Sequence, residues 1–194
     1  DVYYPALQKD HVSLLTDGID QITPEGIVDK QGTLRAVDAI IYATGFKPFD
    51  VAGQMQIVGR KGQTLEVFMK AGVKAHRTLT VPGFPNYFMM LGPNSGLGHN
   101  SIILIIEAQA NYVVKAIKDT IKRDAASLEP KSESMEKFNN HLQNQLKDTV
   151  WSGNCQSWYQ DDTGYIYTLW PRGTINFRRA LAVFDAEEYI FDVK

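Results

Sequence analysis

Two segments of this chain combine the residue types and spacing of a nucleotide-cofactor site. In Val37-Asp38-Ala39-Ile40-Ile41-Tyr42-Ala43-Thr44-Gly45-Phe46 an apolar, β-branched run ends in Thr-Gly. In Phe84-Pro85-Asn86-Tyr87-Phe88-Met89-Met90-Leu91-Gly92-Pro93-Asn94 a second run ends in Gly-Pro-Asn and continues through Gly96, Gly98, His99, Asn100 and Ser101. A parallel strand buried on both faces reads as such a run, and in open α/β sheets it delivers backbone to a ligand at its carboxyl end. The residues after the second turn suit a long helix over 102–122, capped by the side-chain oxygen of Asn100 or Ser101. A helix that starts there points unpaired N–H groups and the positive end of its dipole outward, where an anion or a developing negative charge is stabilised. The candidate contacts are the turns Ala43, Thr44, Gly45 and Gly92, Pro93, Asn94, and the helix start Asn100, Ser101, Ile102.

Each segment has a plainer reading. Ala43-Thr44-Gly45 also fits an ordinary turn after a buried strand, and Gly96, Gly98 and His99 fit a surface loop in which His99 is a packing residue rather than a general base. Trp158 and Tyr159 could fill core volume. The chain holds no Gly-x-Gly-x-x-Gly turn and no Gly-x-x-x-x-Gly-Lys loop. No Ser-His-Asp or paired-carboxylate arrangement can be assembled, so no catalytic residue is assigned. The single cysteine, Cys155, has no partner for a disulfide or a metal site.

The elements that must position these residues are expected to be mixed α and β. Short alternating runs at 12–15, 19–22 and 26–28, punctuated by Asp17-Gly18, Pro24 and Gly32, fit a β meander leading to a buried strand at 39–42. Further strands are expected near 65–68 and over 87–91. After the helix at 102–122, with Glu107 buried or interfacial, a hinge at Pro130 precedes a polar surface helix over 132–150 capped by Ser132 or Ser134. The aromatic tail turns at Gly164 and ends in a short helix over 174–182. At 194 residues, 44% apolar and 22% charged, the chain can bury a core as one domain. Its formal charge of −2 leaves no electrostatic footprint for nucleic acid or anionic lipid, and no apolar run reaches the length of a membrane span. One cysteine and no signal peptide point to the cytoplasm.

The two segments also resemble a known family. The apolar-Asp-apolar-apolar-x-Ala-Thr-Gly-Phe pattern at 37–46 is similar to the return from the NADPH domain to the FAD domain in flavin-dependent monooxygenases of the Baeyer-Villiger and flavin-containing type. The Gly-Phe-Pro-Asn-x-Phe-x-x-x-Gly-Pro-Asn run at 83–94, through Gly98, Ser101 and Glu107, is similar to their second FAD segment. Ser157-Trp158-Tyr159 with Trp170-Pro171 matches an aromatic segment that the family places near the cofactors, which adds Trp158 to the candidate contacts.

The resemblance implies a partial FAD/NAD(P)-binding two-dinucleotide-domain fold in the α/β class, with 1–194 the carboxyl-terminal part of the FAD-binding domain. Within it, 1–46 would be the return segment and 151–194 the aromatic-rich tail. It also implies FAD and NADPH as cofactors, and insertion of one oxygen atom from O2 into a ketone or a soft heteroatom of a small organic substrate through a C4a-peroxyflavin. Gly92, Pro93 and Asn94 would pass the ribityl chain, with Asn94 or backbone groups replacing the carboxylate that related flavoproteins carry after the glycine. His76-Arg77-Thr78 departs from the aromatic-Leu-Gly sequence common in the Baeyer-Villiger branch. The chain opens on Asp1-Val2-Tyr3-Tyr4-Pro5 without an initiator Met and reads as a piece of a longer enzyme. By itself it is expected to be inactive and to pair with a missing amino-terminal half or with another copy of itself. The alternative is a non-catalytic cofactor-binding or assembly module.

Overall fold

The computed structural model describes residues 2–45, 55–153 and 157–193. The chain divides into two compact units, Asp1–Gly45 and Phe46–Lys194.

The first unit holds a short helix α1 (Tyr3–Leu7) and an antiparallel meander of β1 (Ile19–Thr23), β2 (Gly26–Asp29) and β3 (Leu34–Ala36). Gly26 sits where β2 meets β3: its φ is +149°, and an added Cβ would lie 2.1 Å from the Arg35 carbonyl oxygen, so no other residue fits. The turn at 29–33 is organised by Asp29, whose Oδ1 accepts from the N–H groups of Gln31 (3.0 Å) and Thr33 (2.9 Å) while Oδ2 pairs with Arg35. The meander expected from the turn residues is therefore present, but it begins at Ile19. Residues 12–15 form no strand and are largely exposed. The strand expected at 39–42 is also absent: these residues have no ladder partner among the described residues, and Ile41 is 93% exposed. A strand that reads as buried on both faces needs neighbours on both edges, and the meander supplies none.

The second unit is built on α3 (Ile102–Lys122), which packs against β4 (Ala125–Pro130) and α5 (Thr174–Ala180). β4 pairs antiparallel with β5 (Tyr189–Val193), and α4 (Ser132–Leu146) lies between β4 and the tail in the chain. The core gathers Leu79, Ile105, Tyr112, Leu128, Leu142 and Phe177. Helix α3 has the expected bounds, with Ser101 as its cap. Five expectations fail here. Residues 65–68 belong to a helix, α2 (Leu65–Lys70): Thr64 accepts from the Val67 N–H, and Glu66 pairs with Lys70 one turn on. Residues 87–91 are no strand, because Asn86 and Leu91 at either end adopt left-handed φ values of +57° and +56°. Pro130 is the end of a strand rather than a hinge, and α4 starts after Lys131 with no side-chain cap. Glu107 is exposed.

A buried polar chain ties the segment before the glycine turn to β5. His76, with no exposed surface, lies with Nε2 2.9 Å from Glu188, and Arg77 donates to both Glu188 carboxylate oxygens, at 2.9 and 2.7 Å. Because the carboxylate only accepts, the imidazole proton is assigned to Nε2. Beside them the Tyr189 hydroxyl meets those of Tyr112 (3.0 Å) and Thr80 (3.3 Å). Burial pushes both phenols up, Tyr189 to about 12, so both act as neutral hydrogen-bonding groups. Burial alone would raise the Glu188 carboxyl, but the hydrogen bonds from His76 and Arg77 and the Arg77 charge outweigh it and hold the carboxyl at about 2.

Two outcomes follow for stability. Truncating Phe177, which is fully buried, to Ala should cost about 3–5 kcal/mol in urea unfolding. Glu188 lies below its ordinary 4.5, so its contribution is present above that pH and is lost as pH falls toward 2. Thermal melts recorded across that window should show a drop for the parent chain and a flatter profile for Glu188→Gln.

Candidate functional site

The Gly-Pro-Asn turn is fastened from beneath. Gly92, Pro93, Asn94 and Ser95 are all buried. An added Cβ at Gly92 would lie 2.4 Å from the Thr78 carbonyl oxygen, so the two backbones touch here and only glycine permits it. The Asn94 N–H donates to the Tyr167 carbonyl at 2.7 Å, and its side-chain Nδ2 donates to the carbonyls of Ile166 (2.8 Å) and Leu169 (2.9 Å). Gly96 continues the contact: its N–H donates to Thr168 O at 2.8 Å and its carbonyl accepts from the Trp170 N–H at 2.9 Å, a parallel bridge to the tail. Gln143 of α4 holds the other edge, donating to Ile166 O (2.7 Å) and accepting from its N–H (3.2 Å).

From Gly98 the chain emerges. Gly98 has nothing within 4 Å of an added Cβ, and Gly98, His99, Ser101 and Ile102 are exposed. Asn100 is half-buried and donates to Thr174 Oγ1 at 2.8 Å, which binds the loop to the start of α5. Ser101 accepts from the Ile103 N–H at 3.4 Å. The open end of α3 thus presents backbone N–H groups and the positive end of a 21-residue helix to the exterior, with Ile102 and Ile103 exposed beside it. This arrangement can receive an anionic or partly negative group against a partly apolar wall.

The candidate contacts therefore separate. Asn100, Ser101 and Ile102 stand at the open helix end. Gly92, Pro93 and Asn94 are buried in the turn before it, where Asn94 spends its amide nitrogen on tail carbonyls and its Oδ1 has no hydrogen-bond partner among the described residues. Ala43, Thr44 and Gly45 belong to the first unit, where all three are exposed and Gly45 has a φ of +85°. Trp158 is 44% exposed and packs on Tyr159 with ring centroids 4.3 Å apart. Its carbonyl accepts from the Tyr167 hydroxyl, so the aromatic segment is joined to the glycine turn through the shared stretch 166–170. Cys155 and Phe46 lie outside the described residues. Sequence reasoning missed the group His76, Arg77, Glu188 and the buried Gln109. Their partners are far apart in the chain, and the one available sign was the departure at His76-Arg77-Thr78. Among the described residues no group of three or more His, Cys, Asp or Glu could hold a metal, and no helix is long and apolar enough to cross a membrane.

No family model matches the chain. It is 43% identical over 189 residues to a Baeyer-Villiger monooxygenase of Pseudomonas aeruginosa, covering 96% of this chain and 36% of that protein. A Baeyer-Villiger monooxygenase of Streptomyces coelicolor is 38% identical over 189 residues, with the same coverage of each. An FAD-binding monooxygenase of Aspergillus niger is 35% identical over 187 residues, covering 94% of this chain and 31% of that one. Among solved structures, steroid monooxygenase in its oxidized, NADP-bound form superposes with a TM-score of 0.73 at 25% identity, over all of this chain and 38% of that one. The closed form of cyclohexanone monooxygenase gives a TM-score of 0.76 at 21% identity with the same coverage, a likeness of fold. Across nearly all of its own residues the chain is accordingly similar to proteins named Baeyer-Villiger monooxygenase and FAD-binding monooxygenase, and it spans about a third of the length of the curated relatives it matches.

Proposed function

We propose that the chain forms part of an FAD- and NADPH-dependent monooxygenase that inserts one oxygen atom from O2 into a ketone or a soft heteroatom of a small organic substrate. The observation that carries this reading is the open amino end of α3 held up by the buried glycine turn, in a chain whose relatives are named as Baeyer-Villiger and FAD-binding monooxygenases.

The residues fit a flavin. Asn100, Ser101 and Ile102 would hold its pyrimidine edge, where negative charge gathers on reduction, and the helix end favours that charge by about 1 kcal/mol. Gly98 leaves room for close approach. Gly92, Pro93 and Asn94 would keep the platform in place, and Trp158 would border it through the 166–170 stretch. Bound there, the flavin supplies the electron transfer and the oxygen activation, while the chain orients it and walls off water. His76-Arg77-Thr78 makes no claim on the substrate: His76 and Thr78 are fully buried, and Arg77 is engaged by Glu188.

The parent's substrate and cofactors need more than this stretch. Helix α3 bears a second apolar stripe, Ile103, Val114, Ile117 and Ile121, each 44–71% exposed. Such a stripe on a helix already packed on its other face suits burial against the remainder of the longer protein. The chain by itself is therefore inactive as a monooxygenase in this reading.

The helix end can be tested with Ser101→Asp. Asp caps a helix as well as Ser, so a purely structural role leaves the melting temperature and flavin affinity unchanged. A flavin edge at this position instead predicts binding weakened about fivefold, read by quenching of flavin fluorescence. The isolated chain should show no NADPH-dependent oxygen uptake in an oxygen-electrode assay; uptake would sink the claim that it needs a partner.

A further inference from the structure

Between 77 and 94 the backbone is unusually contorted. Arg77, Thr78, Asn86, Leu91 and Asn94 all adopt left-handed conformations, with φ from +51° to +65°. For Thr78, a β-branched residue, that conformation is a genuine outlier, and for Leu91 it is uncommon. Such strain persists only where the surroundings over-determine the geometry, and it clusters at sites that hold ligands.

The two most strained places share one partner. Gln109, in the second turn of α3 and without exposed surface, accepts from the Leu91 N–H at 2.9 Å and donates through Nε2 to Thr78 Oγ1 at 2.9 Å. Leu91 immediately precedes Gly92, whose Cα side faces the Thr78 carbonyl, where an added Cβ would lie 2.4 Å away. One amide therefore locks the Leu91 turn to the Thr78 turn and locks both to the helix whose start is the open anion-receiving end. Both polar atoms of the amide are used, and its orientation is set by chemistry: a backbone N–H demands the oxygen, which leaves the NH2 for the threonine hydroxyl.

We infer that Gln109 is a positioning residue that fixes the 91–94 turn in register with the amino end of α3, so that the cofactor platform is built before any ligand arrives. What the turn serves rests on the flavin reading above; that Gln109 holds it does not. A core position filled only for volume would do as well with an apolar side chain of the same length, and that contrast is the test.

In the full 194-residue chain, Gln109→Met should leave the amide protons of Ala108 and Tyr112 in α3 protected. The Leu91 amide should exchange roughly tenfold faster, as expected for loss of one buried hydrogen bond. FAD, followed by flavin fluorescence quenching and the visible spectrum, should bind about tenfold more weakly. Thr78→Val keeps the Leu91 bond and removes only the anchor of the amide. It should shift both readouts in the same direction by less, and it carries the test if Gln109→Met does not fold. Leu91 exchange equal to that of the parent in the folded variant overturns the inference; faster exchange with unchanged flavin affinity upholds the positioning role and overturns the flavin reading of the turn. If the parent chain binds no FAD, the flavin reading of this site fails for the chain itself. The positioning role then stands on faster Leu91 exchange or falls on unchanged exchange.

Discussion

Everything in the second unit answers to one requirement: the irregular backbone between 76 and 96 runs through the interior without a sheet to pair with, and its buried peptide groups must still find partners. An unpaired buried N–H costs about 1–3 kcal/mol. The partners come from all sides. Glu129 of β4 accepts from the Gly83 N–H, the Leu79 carbonyl from the Met89 N–H, Gln109 of α3 from Leu91, and the carbonyls of Tyr167 and Thr168 from Asn94 and Gly96. Arg60 secures the ribbon edge by donating to Glu129 and to Asp192. The order of the tail follows from the same need, since the stretch 166–170 supplies acceptors to the turn and is itself gripped by Gln143.

That requirement also explains how the candidate site is divided. Residues that sequence pattern alone offers as ligand contacts are split between those consumed by the interior and those left free. Asn94 is turned inward: it is 1% exposed and left-handed, and its amide nitrogen bridges two carbonyls of the tail while its Oδ1 has no partner among the described residues. Gly98, His99, Ser101 and Ile102 stay exposed at the start of a long helix. A rigid support under an open helix end is the arrangement electrostatic preorganisation calls for, because donors held in place need not reorganise when charge develops. The His76, Arg77 and Glu188 cluster adds to the support by pinning the segment before the turn to the residue that precedes β5.

Much of the scaffold was legible in the residues. Apolar spacing and a cap at Asn100 or Ser101 were enough to bound α3, turn residues marked the meander, and the short helix beginning at 174 was expected in the tail. The errors have a common cause. The runs at 39–42 and 87–91 have strand composition, yet β propensity describes a fit to a pleated, half-buried surface, and neither run meets such a surface here. At 65–68 the helical signals were local and legible, Thr64 as cap and Glu66 four residues before Lys70, but the scattered glycines around them masked the period.

The sequence by itself determined the family likeness, the glycine turn and the helix that follows it, because these rest on local chemistry: glycines where Cβ would clash, a hydroxyl where a helix needs a cap, apolar residues at helical spacing. Only the tertiary structure decided which polar residues are engaged by the protein and which stay exposed. Asn94, Gln109, His76 and Glu188 take their roles from partners 18 to 112 residues away. Nothing in the type or spacing of such a residue records whether its hydrogen bonds will be met by the chain or left for something else.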